Sequence, residues 1–223
     1  MKGATNSMVI TAVVTVIAAY LIGSINFAVI FAKAFVKKDV RELGSGNAGA
    51  TNVLRNAGLS AGILTFLFDA LKGFVATYMG REIFGYISAN NGGDWSAPII
   101  GAYLCGTACM LGHVFPFFFD FKGGKGVATS VGIFAVCCPV AIISGIVVFA
   151  LVTVFSKYVS LGSVIATAVV VVMSIIFYDK TAVILPQILL ILAMGAIVIL
   201  KHKSNIKRLI AGTESKIKIG RNG

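Results

Sequence analysis

Residues 126–156 read GVATSVGIFAVCCPVAIISGIVVFALVTVFS and carry no charge. As one α-helix this run would measure roughly 45 Å at 1.5 Å per residue, against a bilayer hydrocarbon core of about 30 Å. It is too long for a single crossing. Pro139 near its middle lacks the N–H that a helix interior needs, so the run divides into two short segments, Gly126 to Cys138 and Val140 to Ser156. Charge parity supports the division. One crossing here would put the basic stretch Lys201, Lys203, Lys207 and Arg208 on the opposite side of the membrane from the basic loop Lys33 to Arg55, whereas two crossings return it to the same side. A re-entrant pair would have the same parity, provided that protein or a water-filled cavity shields its backbone.

The rest of the chain reads the same way. Hydrophobic residues make up 58% and charged ones 12%, where a soluble domain has roughly 25% charged residues. The dominant solvent is therefore lipid. Further apolar stretches run over Met8 to Ala32, Leu59 to Gly80, Ala97 to Phe119, Leu161 to Tyr178 and Ala182 to Leu200. The first is too long for a signal-peptide core and is followed by Lys33, Lys37 and Lys38, which predicts a retained anchor. Short cytoplasmic loops collect Lys and Arg, so the loops around Lys33 to Arg55 and Lys122 to Lys125 face the cytoplasm. Lys2, Arg81 and Lys180 are left outside, and Lys72 lies within a span. The expectation is an all-α integral membrane protein of about seven transmembrane helices. Its N-terminus is outside, its C-terminus cytoplasmic, and residues 1–223 form a single polytopic domain. The four cysteines, Cys105, Cys109, Cys137 and Cys138, lie in apolar stretches without metal-ligand spacing and read as buried thiols, so no metal site is expected.

Three polar loops carry the chemistry. The first, Arg41 to Arg55, contains Gly44, Gly46 and Gly49 in a G-x-G-x-x-G pattern, but a membrane span precedes it where a dinucleotide fold needs a strand. Glycines there still let the backbone turn its N–H groups onto one anion. Ser45, Asn47, Thr51 and Asn52 add neutral donors, and Arg55 a fork suited to phosphate. The second loop, Gly112 to Gly126, sets Lys122 and Lys125 among Gly123, Gly124 and Gly126 at an expected helix start, which makes an anion site without matching a nucleotide P-loop. Pro116 and the phenylalanines around it would line an interfacial or acyl-accessible wall. The third stretch, His202 to Lys216, places His202, Asn205 and Glu214 among cations that include Arg208. In each loop the plainer reading is a basic turn meeting lipid headgroups. Asp69 and Lys72, three apart in one span, share a helix face and mark a polar interior, as site or as scaffold. His113, at a span edge, reads more simply as a hydrogen-bonded structural group.

Three segments together resemble the motifs of the acyl-phosphate:glycerol-3-phosphate acyltransferases of bacterial membranes: Ser45-Gly-Asn-Ala-Gly-Ala-Thr-Asn-Val-Leu-Arg55, Gly112-His-Val-Phe-Pro with Phe121-Lys-Gly-Gly-Lys-Gly-Val-Ala-Thr129, and His202-Lys-Ser-Asn-Ile-Lys-Arg-Leu-Ile-Ala-Gly-Thr-Glu214. They span the chain in the family's order, and Asp69-Ala-Leu-Lys-Gly73 and Ser160-Leu-Gly-Ser163 resemble further family features. The resemblance implies transfer of a fatty acyl group from acyl-phosphate to the 1-hydroxyl of glycerol 3-phosphate, giving lysophosphatidate and inorganic phosphate with no cofactor. It implies a multi-pass inner-membrane protein with its active site at the cytoplasmic face. Its partners are the two small substrates and the bilayer, with functional coupling to the enzyme that makes acyl-phosphate and no role for nucleic acid.

The candidate catalytic residues are then Ser45, Asn47, Arg55, Lys122, Lys125, His202 and Asn205, with Gly46, Gly123, Gly124, Gly126 and Arg208 joining Arg55 and Lys125 around phosphate. Asp69, Lys72, His113, Ser160 and Glu214 are supporting residues. Acyl-phosphate is already activated, so the protein need supply mainly orientation and charge stabilisation. A membrane channel or transporter for an anionic metabolite is the alternative, and it would want its polar groups nearer the bilayer midplane.

Overall fold

The computed structural model describes residues 2–91, 98–177 and 184–217. Among these residues all regular structure is helical: α1 (Lys2–Gly23), α2 (Phe27–Val36), α3 (Ala50–Ala57), α4 (Leu59–Asn91), α5 (Pro98–Val114), α6 (Val127–Cys137), α7 (Pro139–Ser156), α8 (Val159–Ile176), α9 (Ile184–Lys201) and α10 (Lys203–Ile210). Among the described residues, six stretches are long and apolar enough to cross a membrane: Asn6–Val36, Leu59–Asn90, Pro98–Phe119, Pro139–Ser156, Val159–Ile176 and Ile184–Lys201. The expected span ends at Ala97, Tyr178 and Ala182, and Lys180, lie outside the described residues.

The division at Pro139 is present. Pro139 is the first residue of α7, where its missing N–H costs nothing because the first turn has no intrahelical acceptors to meet. The two halves are unequal, however. α7 has 18 residues and is long enough to cross, while α6 has 11 and, at 1.5 Å per residue, covers only about half of a hydrocarbon core. α6 is packed on α4 through bare glycines. A Cβ on Gly132 would meet the Ala70 carbonyl, and one on Gly73 the Thr129 carbonyl, so the two backbones touch.

The first apolar stretch also differs from one continuous helix. It breaks over Ser24 to Asn26. Asn26 caps α2 by accepting the Val29 N–H at 3.2 Å, and the Ser24 hydroxyl donates to the Tyr20 carbonyl at 2.9 Å while accepting the Phe117 N–H at 3.2 Å. The interruption needs no lipid contact, since Ser24 and Asn26 are both buried.

Burial follows lipid rather than water. Large apolar side chains such as Ile10, Leu67, Phe155 and Leu189 point outward, and the inner face of α4 carries Thr65, Asp69, Lys72 and Thr77. α4 packs against α1, α2, α3, α5 and α6, and α7, α8 and α9 continue the bundle in sequence order. This arrangement brings the three polar loops to one end of the bundle.

Candidate active site

The first loop is folded by one side chain. The Asn52 amide donates to the carbonyls of Val40, Leu43 and Asn47 at 2.9–3.1 Å, and its oxygen accepts the Ser45 N–H at 3.2 Å and the Asn56 amide at 3.0 Å. Gly44 and Gly46 have positive φ of 53° and 70°, and a Cβ on Gly44 would collide with the Asn52 and Asn56 side chains. The loop thus curls tightly onto the start of α3. Arg55, in the last turn of that helix, reaches across to donate to the Ser215 carbonyl at 3.1 Å.

The second loop folds back on the end of α5. The Gly124 N–H donates to the His113 carbonyl at 3.1 Å, and Gly123 sits so close to that carbonyl that a side chain has no room. Gly126, with φ of 88°, then turns the chain into α6. The helix start of α6, with its unpaired N–H groups and positive dipole end, faces the cavity described below. Lys125 donates its ammonium to the Asn205 side-chain oxygen.

The third segment is tied together by Glu214. Its Oε1 accepts from the Ser160 hydroxyl and the Asn205 amide, both at 2.7 Å, and its Oε2 from Arg208 Nε at 2.7 Å. Burial raises the Glu214 pKa, but these hydrogen bonds and the Arg208 charge outweigh it and hold the group below its usual value. Because Glu214 takes the Asn205 N–H, the Asn205 oxygen is left to face Lys125.

The three segments enclose a cavity of about 620 Å³. Ser45, Asn47, Arg55, Lys125, Gly126, His202, Asn205 and Arg208 line it, as do Asp69, His113, Ser160 and Glu214. Burial, then the neighbouring Arg208 and Arg55 charges, bring the Lys125 pKa down to about 8 against the pull of Glu214. Burial, then the Lys125 charge, brings His202 down to about 4. His202 is therefore neutral near pH 7. Its Nδ1 lies 2.8 Å from the Val198 carbonyl, which can only accept, so Nδ1 carries the proton and Nε2 is an acceptor.

Not every expected residue lies here. Lys122, Gly46 and Gly123 line a separate open cleft of about 420 Å³ with Asp39, Arg41, Glu42 and Asp120. Gly124 is buried between the His113 ring and the Ala48 carbonyl, and Lys72 is enclosed between α4 and the α1–α2 break. Lining residues outside the quoted motifs include Asn56, Phe66, Phe149, Val159 and Ser215. The two phenylalanines sit on α4 and α7, among many apolar positions whose inward or outward facing only packing decides.

Comparison with known proteins gives one answer. The family described as Glycerol-3-phosphate acyltransferase matches residues 13–212. Glycerol-3-phosphate acyltransferase 2 of Bacillus anthracis is 42% identical over 205 residues, covering 92% of this chain and 98% of that protein. Glycerol-3-phosphate acyltransferase of Thermoanaerobacter sp. (strain X514) is 42% identical over 206 residues, covering 92% and 96%. The crystal structure of PlsY (YgiH), an integral membrane glycerol 3-phosphate acyltransferase in its glycerol 3-phosphate form, has a TM-score of 0.79 and 36% identity, covering 93% of this chain and 96% of its own. Its lysophosphatidic acid form has a TM-score of 0.76 at the same identity, covering 93% and 95%. By sequence over nearly its whole length and by the fold of an integral membrane relative, this chain belongs to the glycerol-3-phosphate acyltransferase family.

Proposed function

We propose that the protein transfers a fatty acyl group from acyl-phosphate to the 1-hydroxyl of glycerol 3-phosphate, releasing 1-acylglycerol 3-phosphate and inorganic phosphate. The observation that carries this is the cavity itself. Three cations, Arg55, Lys125 and Arg208, come from three distant segments to one pocket, with the neutral donors Ser45, Asn47 and Ser160 beside them. Both substrates bear phosphate, and the cations match two such groups held side by side. Phe66 and Phe149 give the same pocket an apolar wall for the first carbons of an acyl chain.

The reaction forms a bond between the glycerol 1-oxygen and the acyl carbon and breaks the bond from that carbon to the phosphate oxygen. The hydroxyl proton ends on the departing phosphate. Charge develops on the acyl oxygen and on the leaving group, where the α6 helix start and Lys125 stabilise it. His202 near pH 7 has an acceptor nitrogen but a pKa of about 4, which suits holding a substrate hydroxyl better than removing its proton. No covalent acyl-enzyme is involved. Ser160 does donate to Glu214, but the bonds from Asn205 and Arg208 lower that carboxylate's basicity, so it is a poor base for activating a serine.

The distribution of Lys and Arg supports a position for this end of the bundle at the cytoplasmic face of the bacterial inner membrane. Acyl-phosphate would be delivered there by the enzyme that makes it. The test is purified protein given acyl-phosphate with and without glycerol 3-phosphate. Phosphate release that requires both, and no label retained on protein given labelled acyl-phosphate alone, is the expected result. Movement of glycerol 3-phosphate across vesicles without turnover would favour a transporter instead.

A further inference from the structure

The buried groups Lys72, Asp69 and His113, the last two at the border of the cavity, form one continuous line through the bundle. Lys72 and Asp69 pair at 2.7 Å on the inner face of α4. The Lys72 ammonium also donates to the Ile25 carbonyl at 2.7 Å, an acceptor freed by the break between α1 and α2, and lies 5.7 Å from the centre of the Phe27 ring. Asp69 Oδ1 faces His113 Nδ1 at 3.4 Å. On the far side of that ring, the Nε2 edge lies against the backbone of Gly124, in the space a Cβ there would need, and the Ala48 carbonyl of the first loop closes the same space. The His113 carbonyl accepts the Gly124 N–H as well. Lys125 is the next residue.

Holding helices together does not require this. Buried ionisable groups are expensive, and well-packed apolar residues of the same volume hold a bundle at least as well. His113, in contrast, meets the glycine turn twice, through the edge of its ring and through its backbone carbonyl. We propose that Lys72, Asp69 and His113 are positioning residues, a buried chain that sets the Gly123–Gly126 turn and with it the Lys125 ammonium against the phosphate of glycerol 3-phosphate. His113 presents its Nε2 edge to the Gly124 backbone, and its role is to place that turn rather than to act on the reacting atoms.

The inference rests on the phosphate-binding reading of the cavity. Full-length protein in detergent is tested as wild type, His113→Gln, Asp69→Asn and the double variant, with thermal melting, glycerol 3-phosphate affinity by calorimetry, and turnover measured on the same preparations. Each single variant is expected to melt close to wild type, to bind glycerol 3-phosphate about tenfold more weakly and to keep kcat within about threefold. The double variant should be no worse than the poorer single, since both cut one chain. Unchanged affinity in a folded variant overturns the proposal, as does a fall in kcat at unchanged affinity, which would put the ring on the reacting atoms. Failure of both singles to fold also overturns it, because the groups would then only hold helices. Wild-type protein that binds glycerol 3-phosphate without turning over would defeat acyl transfer and leave the affinity comparison to judge this inference.

Discussion

At the scale of single residues, the cations are not equivalent. Arg55, Lys125 and Arg208 face the main cavity, whereas Lys122 faces the neighbouring open cleft. Replacing Arg55 or Lys125 by Ala should lower kcat/KM by about a hundredfold or more, the loss typical of a removed group that stabilises transition-state charge. Lys122→Ala should stay within about tenfold of wild type in the same phosphate-release assay, since its charge acts from outside the pocket. Lys125 also predicts a pH dependence. Its lowered pKa means that the ammonium is present below about pH 8 and lost above it, so kcat/KM for glycerol 3-phosphate should fall as pH rises through about 8. Bound phosphate favours the ammonium, so the corresponding fall in kcat should lie at higher pH. In Lys125→Arg the limb near pH 8 should disappear, because a guanidinium stays charged throughout.

At the scale of elements, α6 matters most. It is shorter than a full span, and its buried position is possible only because Gly132 and Gly73 let it touch α4 backbone to backbone. A Cβ on Gly132 would run into the Ala70 carbonyl and the Phe74 N–H, groups that cannot swing aside. Gly132→Ala should therefore destabilise the protein by roughly 1–3 kcal/mol, read as a lower melting temperature in detergent, and should lower activity because the α6 start lines the cavity. The neighbouring exposed position Val140, which faces outward, should accept Ala with little change. The interruption between α1 and α2 belongs to this scale too. Its small polar residues, Ser24 and Asn26, look like tolerable passengers in an apolar run until Ser24 is seen accepting a hydrogen bond from Phe117, far away in sequence.

At the scale of the whole molecule, the loops that build the cavity share one end of the bundle while Arg81 lies far along α4 from its start at Leu59. In a background without native cysteines, Cys placed at Lys37, Lys122 or Lys203 should label with a membrane-impermeant reagent only after the cytoplasmic side is opened, and Cys at Arg81 should label from outside. Labelling of Lys37 and Lys203 positions from opposite sides would contradict the arrangement. The sequence by itself determined the membrane class, the helix break at Pro139 and the three phosphate-suited segments, because hydropathy, a missing N–H and residue chemistry are local properties written into neighbouring positions. Only the tertiary structure decided that Lys125 and not Lys122 enters the cavity, that Phe66 and Phe149 form its wall, that α6 packs on α4 through bare glycines and that Lys72, Asp69 and His113 line up behind Gly124. Those outcomes depend on which backbones can approach one another, and that depends on contacts between residues tens to hundreds of positions apart, such as Arg55 with Ser215 and Lys125 with Asn205.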